Sequence, residues 1–247
     1  MNLFTKLIDI IYPPRCLICK KFLHQHNQID KSNATSFCQT CTSSFQKISS
    51  PLCPICGVPF LPDTGEDHVC ENCIRRRPFF EAARAPYFYE DTLMTAIHQF
   101  KYNGRRVFAD PLGALLARFA ASWVRESGTL LTIPVPLHPK RLRERGFNQS
   151  LLLARHVAGQ LCIELDFLSL RRVRHTSPQT ALGRKERRKN VRGAFQVLNP
   201  PAVKGKEVLL VDDVATTGNT LNECARALKR AGCKKVLCLA LARTGNF

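Results

Sequence analysis

The sequence contains no run approaching the ~18 consecutive apolar residues of a membrane-spanning helix, so no transmembrane span is expected. Acidic residues are scarce: 19 Asp and Glu stand against 37 Lys and Arg, leaving a formal charge of +18. That imbalance makes a polyanion the expected partner, without separating nucleic acid, anionic lipid and phosphorylated ligand, and a merely solvated basic face would look the same. Residues Met1 to Tyr12 contain Lys6 and Asp9, hold only a short apolar run, and lead to Cys16 without a small-residue cleavage site. No export signal is expected, which points to the reducing cytoplasm or the inner face of the membrane. No internal repeat is present beyond paired cysteines. With 45% hydrophobic and 23% charged residues, a disordered or fibrous chain is excluded. The length of 247 residues suits one medium domain and a small appendage.

The basic excess is concentrated: residues 137 to 192 hold 14 Lys and Arg against 4 Asp and Glu. The twelve cysteines are also unevenly placed. Eight form Cys-x-x-Cys pairs in the first 73 residues: Cys16/Cys19, Cys38/Cys41, Cys53/Cys56 and Cys70/Cys73. Two residues between thiolates let both bind one tetrahedral ion from a knuckle, so the pattern reads as zinc and not as disulfides or single redox motifs. Taken in order, the pairs make two zinc ribbons; an interleaved pairing is less natural at these spacings but stays open. Four thiolates leave no open position on the ion, so the metal role is structural, and the module is either a docking platform or a folding staple. His24, His26 and His68 lie near complete Cys sets and read as surface residues. Cys162, Cys224, Cys233 and Cys238 read as buried.

Residues Leu3, Phe4, Leu7, Ile8 and Ile11 fall at helical spacing and predict a short amphipathic helix. After Arg75-Arg76-Arg77-Pro78 the pattern changes. A strand is expected over 83–89, helices over 92–102, 107–125 and 148–161, and a strand over 130–135. Residues 171–192, Arg-rich and with Pro178 and Gly183, read as a mobile loop between short strands near Leu168 and Phe195. A strand over 208–211, a turn over 212–219, a helix marked by Leu221, Cys224, Ala225 and Leu228, and a strand over 236–242 complete a βαβ unit. The expected class is α/β with a parallel sheet and a crevice at the strand carboxyl ends.

The segment Val211-Asp212-Asp213-Val214-Ala215-Thr216-Thr217-Gly218-Asn219-Thr220 joins an apolar strand to a helix. Backbone N–H groups at a helix N-terminus cradle phosphate, Gly218 permits close approach, and Thr216, Thr217 and Thr220 add hydroxyl donors. Asp212 and Asp213 can accept hydrogen bonds from the vicinal hydroxyls of a ribose. Neither a P-loop ending nor a Gly-x-Gly fingerprint is present.

This string resembles the phosphoribosyl diphosphate (PRPP) loop of type I phosphoribosyltransferases, which implies that Asp212, Asp213, Ala215, Thr216, Thr217, Gly218, Asn219 and Thr220 bind PRPP with Mg2+. Together with residues 134–149, the Arg171 to Phe195 segment and the cysteine module, the whole chain resembles the competence protein F family of DNA-uptake proteins. The resemblance implies a type I phosphoribosyltransferase-like parallel sheet over 78–247, an N-terminal double zinc-ribbon module over 1–77, and a part in natural transformation. It places Lys140, Arg141, Arg143 and Arg145 in a diphosphate loop richer in arginine than is usual. It also places His175, Gln179, Arg184, Arg187, Arg188 and Asn190 in a loop that closes over PRPP or grips DNA phosphates. Single-stranded DNA and other competence-machinery proteins are the implied partners, with Phe147 and Phe195 as stacking residues or, more simply, core anchors. The alternative is a working pentosyl transferase of unknown acceptor in nucleotide metabolism, with Asp212 and Asp213 catalytic; no segment is identifiable as a base-recognising hood.

Overall fold

Apolar residues on both sides of a strand require cover on both faces of its sheet. The computed structural model describes residues 12–23, 36–60, 65–102, 105–124, 130–174 and 191–245. Strands β1 (Ala82–Arg84), β2 (Tyr87–Phe88), β3 (Leu130–Pro134), β4 (Glu164–Leu165), β7 (Glu207–Ala215) and β8 (Lys235–Arg243) form one sheet in the order β1-β8-β7-β3-β4, with β2 also beside β8. All of its pairings are parallel. A separate antiparallel pair, β5 (Leu170–Arg172) and β6 (Phe195–Val197), frames the arginine-rich segment.

Side-chain alternation splits the core into two layers. Leu209, Val211, Leu237, Leu239 and Leu241 meet buried residues of α3 (Asp91–Tyr102), α4 (Ala109–Trp123) and α6 (Gln149–Leu161). Val208, Leu210, Val236 and Cys238 instead meet Leu221, Cys224, Ala225 and Leu228 of α8 (Asn219–Arg230). The short helices α5 (Pro139–Arg145) and α7 (Pro200–Val203) lead into α6 and β7.

The cysteine module divides in the same way. Cys16, Phe37, Cys41 and Phe45 belong to the first layer, and Cys53, Ile55, Cys70 and Cys73 to the second. Helices α1 (Gln39–Ser43) and α2 (Glu71–Arg75) follow directly on Cys38 and Cys70 and carry Cys41 and Cys73. Between the clusters the chain runs past the sheet edge: Phe88 N donates to Gln46 O at 2.9 Å, Ile48 N to Pro86 O at 2.9 Å and Ala83 N to Ile55 O at 2.7 Å. These bonds occupy edge groups that would otherwise be open to another strand.

Several elements depart from expectation. The strand expected over 83–89 breaks at Pro86, which has no N–H and whose carbonyl serves Ile48. The helix from Val107 begins as a 3-10 turn (Arg106–Phe108) before α4, which carries Pro111 in its first turn. No turn occupies 212–215: β7 continues to Ala215 because Asp212, Val214 and Ala215 stay in register with Ala240, Ala242 and Arg243. The residues after His138 form a helix, with Pro139 at its start, the His138 side chain accepting from Lys140 N, and Gly146 ending it at φ 77. Cys162 is exposed, because it closes α6 in a left-handed conformation that turns it away from the core. Cys224, Cys233 and Cys238 are buried as expected. The amphipathic helix expected over 3–11 lies outside the described residues.

The knuckle of the third cysteine pair packs on β1 so closely that a Cβ on Gly57, whose φ is +67, would stand 2.3 Å from Ala83 O. Gly57→Ala is expected to cost on the order of 1–3 kcal/mol. Urea unfolding with zinc content measured in parallel checks this; a midpoint equal to the parent's counts against the docking.

Candidate functional site

Helix α6, after β3, covers one face of the sheet, and α8, after β7, covers the other. The chain therefore parts between β3 and β7, and a crevice opens at their carboxyl ends. A cavity of about 300 Å³ lies there. One wall is the end of β7 and the following turn: Asp212, Asp213, Val214, Ala215, Thr216, Gly218 and Thr220. Gly218, at φ 71, makes the left-handed turn that starts α8. Thr217 and Asn219 do not line the cavity, but Thr217 Oγ1 is buried with no hydrogen-bond partner among the described residues. An unsatisfied buried hydroxyl in a loop at a helix N-terminus fits an anion-binding turn.

The two acids are held differently. Asp212 Oδ1 accepts from Ser150 Oγ at 2.9 Å and from Asp213 N at 2.9 Å. Burial, then the neighbouring Asp213 charge, pushes its carboxyl up to about 7. Asp213 is paired with Lys101 Nζ at 2.8 Å, both side chains largely buried at 15% and 11% exposure. Burial alone would lower the Lys101 ammonium; Asp213, then Asp212, outweigh it and hold it above its ordinary value.

The same cavity is lined by Arg141, Arg145 and Arg172. The first two are i, i+4 on α5 and share a face; Lys140 and Arg143, on its other sides, are exposed and do not line the cavity. Burial, then Arg145, lowers the Arg141 guanidinium, and burial, then Arg141, lowers that of Arg172. Like charges thus press on one another where an anion would relieve them. Arg184, Arg187 and Arg188, with His175, Gln179 and Asn190, lie outside the described residues.

A third wall is one that sequence reasoning missed: Tyr89, and His98, Lys101 and Tyr102 from the last turns of α3. Lys101 had a legible signal, since it lies four residues after buried Ile97 and eight after buried Leu93, on the apolar face of its helix. Ser150 and Arg172 had none, because only the tertiary fold brings them to Asp212. Phe147 and Phe195 are buried in the core and serve as anchors.

The cysteines assemble in sequential order: Cys16, Cys19, Cys38 and Cys41 form one cluster, and Cys53, Cys56, Cys70 and Cys73 the other. Sulfurs are 3.8 Å apart for Cys16/Cys41 and 3.6 Å for Cys19/Cys38 and Cys56/Cys70. Four sulfurs ~2.3 Å from a tetrahedral zinc stand ~3.8 Å from one another, so both clusters fit structural zinc. His68 stacks on Phe60 with ring centroids 3.8 Å apart and belongs to neither cluster. His24 and His26 lie outside the described residues.

Fold and cysteine clusters together define a phosphoribosyltransferase-type α/β protein with zinc-ribbon modules. The family model described as phosphoribosyl transferase domain matches residues 148–246, and that described as double zinc ribbon domain matches residues 7–74. DNA utilization protein YhgH of Escherichia coli O157:H7 is 34% identical over 210 residues, covering 84% of this chain and 90% of that protein. Competence protein F of Haemophilus influenzae is 32% identical over 233 residues, with 93% and 96% covered. Competence protein ComFC of Bacillus subtilis is 29% identical over 203 residues, with 79% and 78% covered. The chain belongs to the family of these DNA utilization and competence F proteins. Among the described residues no helix is long and apolar enough to cross a membrane.

A carboxyl raised in the folded state contributes stability that is fully present below its unfolded value of 3.8 and is lost as pH rises through about 7. Asp212→Asn, which keeps an oxygen for Ser150 and Asp213 N, is therefore expected to raise the melting temperature by several degrees at pH 8. The gain should vanish near pH 4. Thermal unfolding of both proteins across this range checks the sign; a gain that grows toward low pH contradicts it.

Proposed function

We propose that this chain serves DNA uptake or use, as the names of its relatives indicate, by holding PRPP or a related phosphoribosyl ligand in the β3/β7 crevice and contacting single-stranded DNA beside it. The observation that carries the reading is one cavity lined by an acid pair, a phosphate-type turn and three guanidiniums, those of Arg141, Arg145 and Arg172. In this reading Asp212 and Asp213 accept hydrogen bonds from the ribose hydroxyls, and the backbone and hydroxyl groups of Ala215 to Thr220 receive the 5-phosphate. Arg141 and Arg145 face the diphosphate, with Lys140 and Arg143 continuing the positive surface outside. Mg2+ bound with PRPP would neutralise part of the diphosphate charge. Lys101 holds Asp213 in place and spares the crevice an unpaired buried carboxylate. Residues 1–77 form the ribbon module in this scheme and 78–247 the phosphoribosyltransferase-like domain. The ribbons both staple the sheet edge and offer a surface for other competence-machinery proteins.

A second reading, pentosyl transfer to an unknown acceptor in nucleotide metabolism, is favoured by one feature. A carboxyl titrating near neutrality in a cleft is suited to proton transfer.

Calorimetry with PRPP and Mg2+ is expected to show binding that Asp212→Asn/Asp213→Asn weakens at least about tenfold, the equivalent of ~1.4 kcal/mol. Oligonucleotide affinity is expected to fall steeply with salt and to drop in Arg141→Ala/Arg145→Ala. Absence of PRPP binding removes the ligand assignment, and salt-insensitive or absent oligonucleotide binding removes the DNA contact. Diphosphate release in the presence of a nucleobase would favour the second reading.

A further inference from the structure

We infer that Tyr102, with His98 and Arg145 beside it, is a stacking platform for a base of single-stranded DNA at the mouth of the crevice. The inference rests on the proposed DNA contact and names the residue through which bases, and not only phosphates, are held. Helix α3 buries Leu93, Ala96, Ile97 and Phe100, so its packing does not need the Tyr102 ring, which remains 57% exposed. The imidazole of His98 lies against that ring with centroids 4.6 Å apart and planes tilted by 39°. The Arg145 guanidinium reaches to 5.1 Å from its centroid. All three groups are planar, and each is a type on which bases stack. All three also line the same cavity as Asp212 and the phosphate-type turn.

The surroundings select the source of the base. A free base transferred inside a crevice needs enclosure, whereas a ring more than half exposed offers only an open surface. A strand passing over that surface would find exposed cations on neighbouring segments for its phosphates. Arg105 and Arg106 follow Tyr102 in the chain, and Lys140 and Arg143 project from α5. Charge beside an exposed aromatic is the arrangement that holds single strands without reading their sequence.

The test uses the full, zinc-loaded chain and two labelled probes of equal charge: an oligothymidylate of about ten nucleotides, within the site size of one binding module, and an abasic strand of the same length. The parent is expected to bind the thymidylate more tightly. Tyr102→Ala should weaken thymidylate binding about tenfold, toward the lower end of what one stacked base contributes, and leave abasic binding unchanged. Tyr102→Phe should retain the parent's preference, and Tyr102→Trp should show fluorescence quenching on adding the thymidylate. Equal parent affinity for both probes, an equal loss on both probes in Tyr102→Ala, or thymidylate binding without quenching in Tyr102→Trp each overturns the platform while leaving phosphate-driven contact standing. If the parent binds neither probe, the DNA contact beneath the inference fails with it.

Discussion

A sheet whose strands are all parallel has no face to spare for water, and this constraint organises the molecule. The central strands β7 and β8 are buried on both sides, so the segments joining the strands must supply two apolar layers. The first layer takes α3, α4 and α6; the second takes α8. Because these layers close both faces, the crevice forms where the chain leaves β3 for one face and β7 for the other. After the apolar run Val208 to Val211, β7 turns polar at Asp212, where the strand emerges into that opening. The same constraint leaves the β1/β2 edge exposed, and the cysteine module covers it.

Charge in the crevice follows from this geometry. Adjacent carboxylates at a strand end are separated by the pleat, so Asp212 and Asp213 meet different surroundings. Asp213 pairs with Lys101, and Asp212 accepts from the neutral donors Ser150 Oγ and the Asp213 N–H. Asp212 is left to titrate near neutrality, and Asp213 is held in place by its ion pair with Lys101. In the same cavity α5 contributes two guanidiniums from one face and Arg172 adds a third. A few of the sequence's surplus cations are thereby brought to the opening.

Local signals carried much of this into the sequence. Four Cys-x-x-Cys pairs state their own metal chemistry because the ligands of each knuckle are neighbours in the chain, whereas the order of pairing stayed open until the fold brought the pairs together sequentially. Strand β7 with its following turn was legible for the same reason: anion binding at a strand-to-helix turn is a property of contiguous backbone. What escaped were relations set across the fold. The register of β7 with β8 carries the strand past Asp212 and Asp213 to Ala215, and no property of residues 212–215 reveals that partner. Helix α5 was hidden because a run of arginines carries no apolar period; its caps, His138, Pro139 and Gly146, were the better signal. Lys101 and Ser150 reach the acids from 112 and 62 residues away along the chain, one by ion pair and one by hydrogen bond.

The ribbons and the crevice are not independent parts, because β8 serves both. At the end of β8, Arg243 is in register with Ala215, the last strand residue before the phosphate-type turn, and its carbonyl accepts from Tyr89 N at 2.7 Å. Its guanidinium donates to Cys56 O beside the second cysteine cluster. Burial lowers this guanidinium, and the thiolates of Cys56, Cys53, Cys70 and Cys73 raise it back in part. Four thiolates around a divalent ion leave net negative charge, so a buried arginine at that place is compensated and not stranded. Arg84, donating to Pro54 O at 3.0 Å, supplies a second cation to the same knuckle. The negative second cluster thus secures the strand end that carries a wall of the crevice. The geometry of Tyr89 and of the acid pair accordingly depends on cysteine ligands that, for the acids, lie more than one hundred residues away in the chain.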